Sequence, residues 1–176
     1  MKKVMAFMAS LVMSAALLFA ADPAEGIWKS VDDETGKITA IWKIYEKEGK
    51  LFGEIAAVVD NPQDVIASAC KASYKGFPLA GNVNEMHTVG TPWIFNMQKE
   101  SEGNWSKGNI IDPGSGKMYG CVIKYLAVGQ KNKGYTAQVP TLAMAGTVGP
   151  IKVFQYWVQA SEADIAAVQA EFPAQN

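Results

Sequence analysis

The densest group of polar side chains that could do chemistry lies in a turn between two apolar runs. Asp112, Lys117 and Tyr119 all fall in the segment Asp112-Pro113-Gly114-Ser115-Gly116-Lys117-Met118-Tyr119. A carboxylate, an ammonium group and a phenol at this spacing could transfer protons or hold the polar head of a ligand. The alternative is structural: Asp112 caps the turn, Lys117 is solvated and Tyr119 is packed. The glycines are not a phosphate-binding loop, because no strand-to-helix transition follows them.

Aromatic side chains are distributed over separate apolar runs, as expected for a small barrel that is either filled or holds one small ligand. For a ligand-holding barrel, we predict binding contributions from Trp42, Trp93 and Phe95, with Trp93 near the rim because it follows Pro92 beside a loop. Lys75 and Lys117 are the candidates for contact with an anionic head. A packed aromatic core without a cavity is the equally supported alternative.

Composition excludes several kinds of function. His87 is the only histidine, so the chain cannot build a multi-histidine metal site, and its turn-rich surroundings indicate a solvated loop residue. All basic residues are lysines, and the formal net charge is −1. A mildly acidic chain without arginine is poorly suited to nucleic acid. We therefore predict no catalytic residues, metal, cofactor or nucleic-acid partner; protein partners cannot be identified from these residues.

The only cysteines, Cys70 and Cys121, allow one disulfide bond in an oxidising compartment. Such a bond requires the two Cα atoms to lie within about 7 Å, which spacing along the chain does not determine. Two free structural thiols are the other interpretation.

The amino-terminal segment has the layout of a secretory signal peptide. Lys2 and Lys3 precede an apolar run over residues 4–18, and Ala20-Ala21-Asp22 follows. A short apolar run that ends in small residues favours cleavage over a membrane span. We predict a signal peptide over residues 1–20 and one domain over residues 21–176, located in the periplasm or secreted, with no stable membrane span after cleavage.

Short runs rich in β-branched and aromatic residues, separated by turn residues, predict an all-β domain. Eight strands are expected to begin at residues 26, 38, 50, 92, 105, 118, 135 and 151. Eight sequential strands close most simply into an antiparallel, up-and-down barrel. The irregular stretch over residues 60–81, with a short helix expected over residues 64–69, could cover one end as a lid. Ser161 and Asp164 form a capping box that predicts a C-terminal helix ending before Pro173.

Several segments resemble the small secreted bacterial proteins grouped as DUF2147, a lipocalin-like family of unknown function. The resemblance rests on residues 26–29, 32–37, 49–55, 75–81, 105–121 and 155–157. It implies a lipocalin-like barrel over nearly the whole mature chain. Relatives often carry Cys-x-x-Cys where this chain has Cys70-Lys71-Ala72-Ser73, so a role for that cysteine pair is lost. Relatives usually have an arginine near the terminal tryptophan, which this chain lacks.

Structural roles are expected for a few residues within the matching segments. Glycine at position 26 permits close backbone approach, and Trp28 would plug the closed end of the barrel. The other residues with expected structural roles are Gly81, Pro113, Gly116 and Trp157.

Taken together, the sequence predicts an exported binding protein for a small amphiphilic or partly apolar molecule. An envelope interaction module with a filled barrel is the alternative, and a small hydrolase or isomerase built on Asp112, Lys117 and Tyr119 is less favoured. A cavity above roughly 300 Å³, the lower end for ligand pockets, would favour ligand binding. A filled interior would favour a protein partner.

Export should remove the segment that ends near Ala20 or Ala21, because small residues follow the apolar run directly. Mass spectrometry of the protein recovered from the cell envelope measures the position of the cut. A full-length chain retained in the inner membrane would contradict the prediction.

Overall fold

The computed structural model describes residues 21–32 and 35–175. Eight of its strands form a closed antiparallel barrel, as predicted. The barrel strands are β1 (Gly26–Val31), β2 (Ile38–Lys47), β3 (Lys50–Val58), β4 (Pro92–Ser101), β5 (Asn104–Asp112), β6 (Lys117–Leu126), β9 (Thr141–Val148) and β10 (Ile151–Gln159). Two short strands, β7 (Lys131–Asn132) and β8 (Tyr135–Thr136), form a separate hairpin. The predicted signal peptide lies outside the described residues.

Around the barrel, each strand pairs with its neighbour in sequence, and β1 closes the ring by pairing with β10. The short turns between β1 and β2, β5 and β6, and β9 and β10 all lie at one end, which we call the mouth. The long connection from β3 to β4, residues 59–91, also starts and finishes there. The chain enters β1 at the opposite, closed end.

The seventh barrel strand begins later than the sequence predicts. A strand from Tyr135 to Leu142 was expected, whereas Tyr135–Thr136 pairs with Lys131–Asn132 and the barrel strand starts at Thr141. The aromatic side chain that suggested a core strand packs outside the barrel, where Tyr135 stacks on Tyr156 with ring centroids 3.8 Å apart. The pattern was therefore that of a surface hairpin.

The C-terminal helix α1 (Glu162–Glu171) begins with the predicted capping box. Asp164 N–H donates to Ser161 Oγ, and the Asp164 carboxylate accepts from the Ser161 N–H. Ile165 is buried against the outer face of the barrel with Ile41 and Ala57. Among the described residues, no helix has the length and hydrophobicity required to cross a bilayer.

The connection over residues 59–91 contains no α-helix, so the helix expected over residues 64–69 is absent. A single 3₁₀ turn at Val83–Glu85 and an isolated bridge between Ile66 and His87 organise it instead. Ala67, Cys70 and Val83 of this connection are buried in the main core. The connection is thus a packed layer over part of the mouth.

Trp28 fills the closed end. It is 1% exposed, and its indole Nε1 donates to the Ala24 carbonyl at 3.0 Å. The Trp28 ring meets Tyr125 edge to face, with centroids 6.3 Å apart. Gly26 adopts a φ of +133°, which an L side chain rarely adopts, so the residue entering β1 is suited to glycine.

A buried carboxylate at the closed end was not anticipated from the sequence. Asp22 Oδ1 accepts from Trp105 Nε1 at 3.1 Å and from the Ala24 N–H at 3.0 Å. Asp22 Oδ2 accepts from the Gly103 N–H at 3.1 Å and from Lys99 Nζ at 2.9 Å. Burial acts to raise the pKa of Asp22, but these hydrogen bonds outweigh it and lower the pKa below its usual range. The segment that precedes β1 is therefore fixed across the barrel end.

Replacement Asp22→Asn should lower the free energy of unfolding by about 1–3 kcal/mol at neutral pH, because it removes hydrogen bonds to a charged group. The lowered pKa makes this contribution complete above the unfolded-state pKa of about 3.9, and it is lost as pH falls through the folded-state pKa. Urea unfolding measured from neutral pH downward should show the difference from wild type narrowing below about pH 4.

The exposed Asp60, replaced by Asn, serves as the control because its positive φ of 60° suits asparagine. If Asp22→Asn and Asp60→Asn lowered the free energy of unfolding equally at every pH, the stabilising role assigned to Asp22 would be contradicted.

Candidate functional site

Two stacked tryptophans form the floor of the space inside the mouth. Trp42 and Trp157 lie with ring centroids 5.0 Å apart and planes 25° apart. Trp42 Nε1 donates to Ser30 Oγ at 3.2 Å, and Trp157 Nε1 donates to Gln155 Oε1 at 3.3 Å. Both indoles are thereby fixed in orientation, with polar partners on the mouth side of the floor.

Above this floor the inner wall carries small or flexible residues. Ala40, Gly146 and Met144 face the interior there, and Gly146 has no side chain to occupy the space. The result is a cavity of about 770 Å³ that exceeds the lower end for ligand pockets, roughly 300 Å³. Its wall extends to Val148 and Val153, which are largely exposed, so the cavity opens to solvent at the mouth.

The polar turn singled out in the sequence forms part of the rim, but Asp112 is committed to the turn itself. Its Oδ1 accepts from the Gly114 N–H at 3.0 Å and its Oδ2 from Ser115 Oγ at 2.6 Å. Its carbonyl accepts from the Gly116 N–H at 2.8 Å. The structural interpretation of Asp112 therefore holds, even though the residue borders the cavity together with Pro113.

Tyr119 and Lys117 occupy different positions although they lie on one strand. Tyr119 lines the cavity, where its ring lies beside Gly146. Lys117 is exposed, does not line the cavity, and borders an adjoining hollow together with Lys71, Tyr74 and Tyr119 itself. The three residues proposed as a possible acid–base group thus do not converge on one point inside the cavity.

Three further predicted ligand contacts lie away from the cavity wall. Trp93 and Phe95 are fully buried, and Phe77 from the long connection packs on them with ring centroids 6.2 and 5.5 Å away. Trp93 Nε1 donates to the Thr88 carbonyl at 2.7 Å. The prediction that Trp93 lies at the rim is therefore wrong, because the long connection covers this side chain. Lys75 is exposed on that connection and does not line the cavity.

The long connection is attached to the rim by close contacts. Tyr74 Oη donates to the Gly116 carbonyl at 2.7 Å, and Cys70 Sγ lies 4.0 Å from the Pro113 carbonyl. A Cβ at position 116 would lie 2.1 Å from the Ala69 carbonyl oxygen, so only glycine allows this approach. Gly81, within the connection, has a φ of +101°. Residues 59–91 thus fix the shape of one side of the mouth.

Neither cysteine is bonded to the other in the structure. Cys70 lies in the long connection and Cys121 lies on β6 inside the barrel, and both are buried, free thiols. Burial raises the pKa of the Cys121 thiol to about 12, so it is protonated at neutral pH. His87 is exposed, with Nδ1 3.0 Å from the Asp64 carbonyl. Within the described ranges, no group of three or more His, Cys, Asp or Glu could hold a metal ion.

Several residues of the cavity were missed by sequence reasoning. Ser30, Met144, Gly146 and Gln155 line it but were not identified as candidates. Strand alternation contains the necessary signal, since Val153, Gln155 and Trp157 are two residues apart on β10 and share its inner face. A polar residue at an inward position between two apolar ones marks a point where the wall of a barrel is not simply packed.

Comparisons with known proteins identify the family and a similar fold. The family model DUF2147, described as an uncharacterized protein conserved in bacteria, matches residues 26–159. Among curated proteins, none matches significantly. A solved structure, protein HP1028 from the human pathogen Helicobacter pylori, described as belonging to the lipocalin family, is similar with a TM-score of 0.61 and 13% identity. The match covers 87% of this chain and 92% of that one, and at this identity it shows the fold alone.

Replacement Gly116→Ala should detach the long connection from the rim, because the added Cβ would collide with the Ala69 carbonyl and alanine disfavours the φ of +65°. We expect a loss of at least about 1 kcal/mol in unfolding free energy and faster proteolysis within residues 59–91. Gly114→Ala is the matched control in the same turn, since its Cβ would meet Asp112 Oδ1 at 3.4 Å without a positive φ. Equal unfolding free energies and equal proteolysis rates for the two variants would contradict the requirement for glycine at position 116.

Proposed function

We propose that this chain, which belongs to the DUF2147 family, binds a small, partly apolar ligand non-covalently in the cavity at the mouth of its barrel. The observation that carries the proposal is the open cavity of about 770 Å³ above the stacked pair of Trp42 and Trp157. Pockets of this size, lined mainly by apolar and aromatic side chains with a few polar groups, suit small molecules. The lipocalin-like fold supports the same coarse class of function.

A non-enzymatic role fits the site better than catalysis. Asp112 is occupied by its own turn, Lys117 does not line the cavity, and both cysteines are buried. General acid–base or nucleophilic catalysis needs a positioned group within hydrogen-bond reach of the reacting atoms. The cavity offers a shaped apolar space with isolated polar groups, which favours binding over bond-making.

We also propose that the protein acts outside the cytoplasm, in the periplasm or beyond it. The support is the order of Lys2-Lys3, the apolar run and Ala20-Ala21-Asp22. Among the described residues, Asp22 is the first whose side chain is hydrogen-bonded across the barrel end, and it follows the expected cut closely. A leader removed at this boundary would leave the closed end of the barrel intact.

An exposed apolar turn supports a second candidate function, contact with a protein partner. Val148, Ile151 and Val153, around the β9–β10 turn, are each more than 60% exposed. Exposed apolar clusters often mark interaction sites. In that role the cavity takes no part in function. Filling the cavity should therefore weaken ligand binding under the first proposal and leave partner binding unchanged under the second.

Replacement Gly146→Leu tests ligand binding directly. Gly146 has no positive φ, and a Cβ there would meet Tyr119 at 3.7 Å, so leucine fits the strand and extends into the cavity. Tryptophan fluorescence, with Trp42 as a reporter in the wall, should respond to a panel of medium-chain amphiphiles. We expect Gly146→Leu to weaken binding about tenfold or more, a change of about 1.4 kcal/mol or greater.

The control is Ala166→Leu, which adds the same bulk on the exposed surface of α1 and should leave binding unchanged. Equal affinity in Gly146→Leu and wild type would place binding elsewhere. No response of wild-type fluorescence or melting temperature to any amphiphile would contradict the proposal and favour the protein-partner role.

A further inference from the structure

The charge of the cavity wall limits which ligands it can take. Among the described residues that line the cavity, Asp112 is the one acidic or basic side chain, and it lies at the rim. No lysine of the described part of the chain lines the wall, and the two predicted candidates, Lys75 and Lys117, lie away from it. Burying a carboxylate or phosphate without a paired cation is unfavourable by far more than burying a neutral polar group. An anionic head therefore has no cationic partner among the described residues of the wall.

The wall nevertheless contains polar groups that the protein leaves free. Among the described residues, the Tyr119 hydroxyl and the Gln155 Nε2 have no hydrogen-bond partner. By contrast, Ser30 Oγ is used fully, by Trp42 Nε1, the Ala40 carbonyl and Thr39 Oγ1. The free polar groups in the described part of the wall thus include one phenol and one amide.

The orientation of the Gln155 amide follows from its neighbour. An indole Nε1 can only donate, so the atom of Gln155 that faces Trp157 Nε1, 3.3 Å away, must be the oxygen. The Gln155 NH₂ group then retains two free donors. The strand register places Gln155 opposite Met144 on β9, two residue pairs nearer the mouth than Trp157 and Leu142. The free donors are therefore located just above the tryptophan floor.

We propose that the ligand is an apolar molecule with an uncharged oxygen acceptor, such as an ester, ketone or amide carbonyl, which accepts from the Gln155 amide. This inference rests on the proposed binding function and specifies its ligand class. The apolar part lies against the tryptophans and the small-residue wall, and the Tyr119 hydroxyl is a second group able to meet polar atoms nearer the mouth. This ligand class excludes molecules with an anionic head, contrary to the expectation that Lys75 or Lys117 would hold one.

A series of ligands with one chain length separates these requirements. Methyl decanoate, decanoate at a pH where it is ionised, and undecane differ in acceptor and charge but share a similar apolar body. We expect methyl decanoate to bind wild type about fivefold or more tightly than undecane, the size of one net hydrogen bond. The affinity for methyl decanoate should exceed the affinity for decanoate by about tenfold or more. Fluorescence titration at fixed pH and salt provides the affinities.

Two variants assign the preference to Gln155. Gln155→Met keeps the length and volume but removes the donors, together with the acceptor of Trp157 Nε1. The ratio of ester affinity to undecane affinity should therefore fall to about one in this variant. Gln155→Lys supplies a cation and should reverse the order, so that decanoate binds more tightly than the ester. Melting temperatures of both variants show whether each is folded.

The outcomes distinguish this inference from the function on which it rests. Binding of undecane and the ester with equal affinity, or tighter binding of decanoate by wild type, overturns the inferred ligand class while ligand binding stands. An ester preference that survives Gln155→Met overturns the role of Gln155. No binding of any of the three molecules contradicts the proposed function itself.

Discussion

The interior of an eight-stranded barrel is just wide enough to be filled by side chains or to hold one small ligand, so the distribution of large and small inward residues decides whether a cavity exists. This chain uses tryptophan at one end and small residues at the other. Trp28 and Trp105 occupy the closed end, and the pair of Trp42 and Trp157 completes the filling below the mouth. Beyond that pair, Gly146 and other small side chains leave space open. The site depends on this uneven filling.

The polar groups around the tryptophans make the filling specific. Each indole N–H has an acceptor. In chain order from Trp28 to Trp157, the five acceptors are the Ala24 carbonyl, Ser30 Oγ, the Thr88 carbonyl, Asp22 Oδ1 and Gln155 Oε1. A buried N–H without an acceptor would destabilise the fold. Three of these acceptor residues, Ser30, Thr88 and Gln155, also belong to the cavity wall. The same hydrogen bonds that orient the tryptophans therefore determine which polar atoms remain for a ligand.

Sequence reasoning was most successful where periodicity and local chemistry agree. Alternation along β2, the capping box at Ser161 and the turn residues after Asp112 each predict a local structure that is present. It was less successful where distant segments meet. Nothing local to Trp93 shows that Phe77 covers it, and nothing local to Tyr135 shows that it stacks on Tyr156 outside the barrel. The buried position of Asp22 is not predictable from local sequence, because its partners Lys99, Gly103 and Trp105 are far along the chain.

The central claim is that an apolar molecule lies inside the mouth of this barrel, and nuclear magnetic resonance can locate it residue by residue. Titration of isotopically labelled protein with methyl decanoate should shift the backbone amide of Gly146 and the side-chain amide of Gln155, together with the indole N–H signals of Trp42 and Trp157. The indole signals of Trp28 and Trp105, at the closed end, should stay in place. Shifts confined to the exposed β9–β10 turn, or no shifts at saturating ligand, would contradict the account.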